Sequence, residues 1–147
     1  MNELQSLAEL SYQEQKKKHQ RVPTYAIVKP KYSDKTANEL TRAIIDYICL
    51  KVDQAERVTS MRRVLNQGLK QQYIPTTGQK GTADISATKL IEIDGRKIGV
   101  RVAIEVKIGR DKQSGAQRDY QYQIQQAGGV YIIATSFEQF IESWNKI

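Results

Sequence analysis

The chain has 147 residues, 39% of them hydrophobic, and sets 23 basic against 16 acidic side chains for a formal net charge of +7. That length suits one compact domain with a modest core, and no run approaches the ~18 apolar residues that a membrane span needs. Cys49 is the single cysteine and His19 the single histidine, which excludes an internal disulfide and a Cys/His zinc site, and the Lys-rich stretch around His19 argues against catalysis built on Ser-His-Asp or Cys-His. Hydrolytic chemistry would have to rest on carboxylates, lysines and a metal bound through oxygen. The start, Met1-Asn2-Glu3-Leu4, lacks the basic and then apolar signature of a signal peptide, so a cytoplasmic location is expected. The positive excess favours a polyanionic partner, with nucleic acid ahead of a membrane surface.

Residues 2–20 read as a polar helix with a thin apolar stripe of Leu4, Leu7 and Leu10. An extended connector with Pro23 and Pro30 follows over 22–32. Between 16 and 31 the chain carries Lys16, Lys17, Lys18, Arg21, Lys29 and Lys31 and no acid. These six are candidate phosphate contacts, against the alternative of a solvated basic arm. Capping residues over 33–36 introduce a helix at 37–52, where Leu40, Ile44, Tyr47 and Ile48 keep a 3.6-residue period. Residues 57–65, with Val58, Met61 and Val64, fit a strand, although the spacing also suits a helical turn. Residues 67–80, with Gly68, Pro75 and Gly78, read as a long loop.

Asp94-Gly95 is a two-residue hairpin signal. With these residues at the tip, one face of the hairpin pairs Ile85 with Ile104, Ala87 with Val102, Lys89 with Val100 and Ile91 with Ile98. The other face pairs Asp84 with Glu105, Ser86 with Ala103, Thr88 with Arg101 and Glu92 with Lys97. A slip of one residue would set core side chains against solvent-facing ones, so this register is preferred. A polar loop at 110–115, a helix at 116–127 stopped by Gly128-Gly129, a buried strand at 130–134 and a final helix complete the chain. The last helix starts at a Ser136-x-x-Gln139 capping box and aligns Phe137, Phe140, Ile141 and Trp144. The expected fold is α/β, a central mixed sheet flanked by helices.

The register sets two acids, Asp84 and Glu105, opposite each other with β-carbons about 4.5–5.5 Å apart. Like charges at that distance repel, and a hard divalent cation, Mg²⁺ or Mn²⁺, removes the repulsion. Lys107 lies two residues beyond Glu105 and shares its face, where a cation can hold a water or stabilise charge on phosphorus. The alternative is a structural strand, with Asp84 capping a loop and Glu105 paired with Arg101 or Lys107.

Gly81-Thr82-Ala83-Asp84, Ile104-Glu105-Val106-Lys107, Ser114-Gly115-Ala116-Gln117 before a helix, then Gly128-Gly129 and an apolar strand resemble the VRR-NUC domain of the PD-(D/E)XK nuclease superfamily. The likeness covers about residues 36–145, leaving 1–35 as a basic N-terminal helix and connector before a nuclease domain at 36–147. It implies a restriction-endonuclease-like core, with Asp84, Glu105 and the Val106 carbonyl as metal ligands and Lys107 as the catalytic lysine. Gln117 would organise the site from the following helix, and Glu39 would be the acid of the first family helix. Thr36-x-x-Glu39 is also a capping box, so Glu39 has a second reading. The same holds for Gln121, one turn beyond Gln117, which suits either the site or a solvated glutamine face. Ala83 stands where the family usually has proline, a position that shapes the approach to the aspartate without being a ligand.

The implied activity is metal-dependent hydrolysis of DNA phosphodiesters. Stand-alone members of the family resemble Holliday junction resolvases and act as homodimers, which makes branched DNA the family-level expectation. Two other readings remain: an inactive nucleic-acid-binding module of the same fold, and a small assembly protein whose charge is incidental.

Overall fold

The structure, a computed structural model, describes residues 2–59, 63–67, 70–74 and 78–147. Helix α1 (Glu3–Lys18) opens on a capping box between Asn2 and Gln5 and closes with three lysines in its last turn, where cations complement the helix dipole. A short 3-10 turn, Thr24–Ala26, lies in the connector. Helix α2 (Ala37–Cys49) starts from the Thr36–Glu39 box and ends three residues earlier than its periodicity suggests. Strand β1 (Gln54–Arg57) follows, then a ribbon of β2 (Arg63–Gln67) and β3 (Lys70–Ile74), the hairpin of β4 (Ile85–Ile93) and β5 (Arg96–Val106), α3 (Gly115–Gln126), β6 (Val130–Ala134) and α4 (Phe137–Asn145).

Four strands form one mixed sheet in the order β1-β4-β5-β6, antiparallel except for the parallel pair β5–β6. The β4–β5 ladder runs from Ile85–Ile104 to Ile93–Arg96 in the register read from the sequence. Asp94 and Gly95 both have positive φ, 49° and 74°, as the tight turn between twisted strands requires. Alternation then sorts the side chains. Ile85, Ala87, Val102 and Ile104 face a core closed by α1, α2 and α4, where Leu7, Ile44, Phe140 and Trp144 are buried. Ala103 and Tyr131 face the other way, under Tyr120 and Ile124 of α3. Leu7 lies within the larger cluster, so α1 shares a core with α2 and α4.

Lys89 is a charged residue among the aliphatic side chains of the hairpin's apolar face. Its ammonium donates to the Trp144 carbonyl near the C-terminal end of α4 and lies 5.3 Å from the Trp144 ring centroid. Burial pulls its pKa down, with Asp53 opposing. A cation at a helix C-terminus meets carbonyls that have no partner within the helix.

Three local expectations change. The strand expected at 57–65 is instead β1, ending at Arg57, with β2 beginning at Arg63; Met61 lies outside the described residues. In β1 only Ala55 is buried, so this edge strand forms by pairing with residues 85–88 and shows little apolar alternation. The loop expected at 67–80 contains β3, a largely polar strand paired with β2; Gly68 and Pro75 lie outside the described residues. At α4 the Ser136 hydroxyl accepts the Gln139 N–H, but the Gln139 side chain accepts from Thr135, so the capping box is incomplete. Among the described residues no helix is long and apolar enough to cross a membrane.

Candidate active site

Residue alternation near the end of β5 decides which side chains meet. Val102, Ile104 and Val106 join the large core, which leaves Glu105 and Lys107 on the α3 face. Asp84 stands one residue before the first β4–β5 pair, where its carboxylate reaches across to β5. Its Oδ2 accepts the Val106 N–H at 2.8 Å, and its backbone carbonyl accepts the Val58 N–H at 2.8 Å. These bonds tie Asp84 to the segment after β1 and to the end of β5.

Gly81 explains how the segment before Asp84 meets helix α3. Its φ is +77°, and a β-carbon there would lie 2.2 Å from the Ala116 carbonyl oxygen and 2.7 Å from the Gln117 nitrogen. Only glycine allows the chain to run this close to the first turn of α3. That turn positions Gln117. Ser114 caps the helix, and Gln117 Oε1 accepts the Ser114 N–H at 2.9 Å and the Lys107 ammonium at 3.1 Å. With its oxygen committed to two donors, the amide turns Nε2 toward Glu105 and donates to Oε1 at 2.5 Å. A capping residue thus also orients the site.

Lys107 Nζ lies 3.0 Å from Glu105 Oε1 and donates to Asp111 Oδ2 at 3.3 Å. With Gln117, that puts three acceptors around the ammonium. Of the two cations weighed as partners for Glu105, Lys107 is the one that pairs with it; Arg101 donates to the Tyr120 hydroxyl at 3.2 Å. Glu105 is 2% exposed, and its Oε2 is buried with no hydrogen-bond partner among the described residues. Burial pushes the Glu105 carboxyl above the usual carboxylate range; Asp84 and Asp111 add to the shift and Lys107 opposes it. Burial alone would lower Lys107, but its bonds to Glu105 and Asp111 outweigh this and hold the ammonium above its usual value. Both groups bind a proton more tightly, as expected where Asp84, Glu105 and Asp111 face a single lysine.

Glu39 takes no part in this network. Its Oε2 accepts from the Thr36 N–H at 3.2 Å, the Thr36 hydroxyl at 3.0 Å and the Ser33 hydroxyl at 3.1 Å, closing the start of α2. Among the described residues no three His, Cys, Asp or Glu side chains converge as a metal set, so Glu39 does not join Asp84 and Glu105 in this conformation. Gln121 accepts from Gln113 at 3.0 Å.

The basic residues divide. Lys17 pairs with Glu14 at 2.7 Å and Lys29 with Glu9 at 2.6 Å, both acids coming from α1. Lys16 lies 4.2 Å from the Tyr12 ring centroid, and Lys18, Arg21 and Lys31 are exposed.

Two residues at the site had no signal in the sequence. Asp111 is a loop acid among other polar residues, and the turn in which its N–H donates to the Ile108 carbonyl brings it back to Lys107, four residues earlier. Tyr131 reads as an ordinary core residue of an apolar strand, yet its hydroxyl is buried without a hydrogen-bond partner among the described residues. Burial pushes its pKa up to about 12; the Glu105 charge is the next cause, and Gln113 is near enough to oppose the shift without hydrogen-bonding geometry. Comparison with protein-family models, with curated proteins and with solved structures finds no match to this chain.

Proposed function

We propose that this chain is a divalent-metal-dependent endodeoxyribonuclease with a restriction-endonuclease-like core of the VRR-NUC kind, hydrolysing DNA phosphodiesters at Asp84, Glu105 and Lys107. The observation that carries the reading is Glu105 Oε2, a buried carboxylate oxygen without a partner among the described residues, in a cluster of three acids and one lysine. A buried acceptor left alone costs about 1–3 kcal/mol. A fold keeps such an atom where a ligand uses it. The donor set fits a hard cation: Asp84, Glu105 and the Val106 carbonyl offer oxygen only, which suits Mg²⁺ or Mn²⁺. The chemistry supplied by the cation when bound is Lewis-acid polarisation of a phosphate oxygen and acidification of water.

The protein's own groups do the rest. Lys107, held as a cation, cannot serve as a general base at neutral pH and acts as a fixed donor to the water or to charge building on the phosphate. Three acceptors surround its ammonium, and the Asp111 contact is the longest, to a side chain that is 59% exposed. A substrate phosphate therefore takes the place of Asp111. Gln117 keeps Glu105 and Lys107 in register through the change. The exposed Lys18, Arg21 and Lys31 supply phosphate contacts, with duplex DNA as the substrate class, branched DNA as the family-level form and a homodimer as the assembly.

The test is cleavage of branched, duplex and single-stranded DNA in Mg²⁺, Mn²⁺ or EDTA. Cutting is expected with either metal and absent in EDTA or with Asp84→Ala. Cutting that survives either change removes the proposed site. Salt-dependent binding without cutting, across all metals and substrates, points instead to an inactive nucleic-acid-binding module.

A further inference from the structure

Two buried side-chain atoms lack a hydrogen-bond partner among the described residues: Glu105 Oε2 and the Tyr131 hydroxyl. They occupy the same face of the sheet. Across the parallel β5–β6 ladder Tyr131 pairs with Ala103 and Ile133 with Glu105, so Tyr131 and Glu105 are diagonal neighbours. Strands about 4.8 Å apart with a rise of about 3.3 Å per residue put such Cα atoms roughly 8 Å apart. That leaves the two side chains near each other without direct contact. The Glu105 charge acts on the phenol, second only to burial. Tyr131 is 9% exposed and Glu105 2%, so bulk solvent does not serve either atom.

The pair is chemically complementary. An ionised carboxylate only accepts, whereas a phenol donates and accepts. A water between them can accept from the phenol and donate to the carboxylate, and buried water is held where at least two polar partners converge. We propose that Tyr131 is a positioning residue for Glu105, the two side chains holding one buried water between the phenolic oxygen and Glu105 Oε2. Glu105 is then fixed from both sides. Lys107 and Gln117 hold Oε1, and Tyr131 holds Oε2 through the water, leaving a lone pair of Oε2 for a cation. The water needs only the apo fold; its use in positioning Glu105 for a cation rests on the nuclease reading.

Tyr131→Phe removes one oxygen and keeps the ring, so the sign of its effect on thermal unfolding in EDTA is decisive. With the water in place, the melting temperature falls by about 2–4 °C. A rise means the hydroxyl is unpartnered, and overturns the proposal. The same substitution in a Gln113→Ala background excludes the nearby amide: a fall that persists supports the water, and one that vanishes overturns it. Calorimetric titration of the apo protein with Mn²⁺ tests the positioning role. Tyr131→Phe should weaken binding about tenfold, the lower end of outer-shell effects on metal sites, and Asp84→Ala should abolish it. A lowered melting temperature with unchanged Mn²⁺ affinity overturns positioning and leaves a structural water. If the unaltered protein takes up no Mn²⁺, the nuclease reading fails and the positioning role with it, while the unfolding result still reports on the water.

Discussion

The two faces of the four-stranded sheet come from the same strands by alternation, yet they are put to different use. Toward α1, α2 and α4 the sheet shows aliphatic side chains and meets Phe137, Phe140 and Trp144. The opposite face has a small apolar patch under α3 and, next to it, an ion pair whose second carboxylate oxygen has no hydrogen-bond partner among the described residues. Two inward lysines mark the contrast. Lys89, on the first face, reaches a helix carbonyl and completes a cap. Lys107, on the second, lies among acids that outnumber it. One face stabilises the fold, and the other holds a buried carboxylate beside a lysine, a charge arrangement that costs stability.

Substitutions on each face should separate the two roles. Phe140→Ala empties a fully buried position and should cost about 3–5 kcal/mol of stability, with cleavage per folded molecule retained; chemical denaturation read beside specific activity checks this. Lys107→Ala should lower the cleavage rate about 10²–10⁴-fold at saturating metal. If Phe140→Ala proved as damaging to specific activity as Lys107→Ala, the faces would not be functionally separate.

Gly81→Ala tests the link between the strand motif and α3. A methyl group at positive φ, against the Ala116 carbonyl, should cost about 2–4 kcal/mol and displace Gln117 from Glu105. Activity should fall further than stability alone explains. A variant with wild-type melting and wild-type activity would show that the close approach is dispensable.

The smallest effect expected concerns pH. The folded-state pKa of Glu105 lies above its unfolded value, so the protonated form favours folding. That contribution is complete below the ordinary carboxyl range and is lost as pH rises through the folded value. Melting curves in EDTA should therefore show the unaltered protein losing ground to Glu105→Gln as pH increases, and Mg²⁺ should restore stability only where Glu105 is present. Identical pH profiles for the two proteins would remove the strain assigned to this carboxylate.

Periodicity and turn chemistry alone determined the β4–β5 register, the capping-box start of α2 at Thr36 and the apolar face of α4, because each depends on residues near in sequence or on strict alternation. That register is also what brought Asp84 toward Glu105. Strands β1 and β3 were not legible: one is a mostly exposed sheet edge and the other a polar ribbon, and their strand character comes from pairing partners. Tertiary structure alone decided the fate of ambiguous side chains. Glu39 and Gln117 hold the same position in matching capping boxes, yet only Gln117 lies beside β5, where its two-ended amide serves both the cap and Glu105. Tyr131 entered for the same reason. Which groups share a desolvated space depends on strand order and helix packing, and neither leaves a local pattern in the chain.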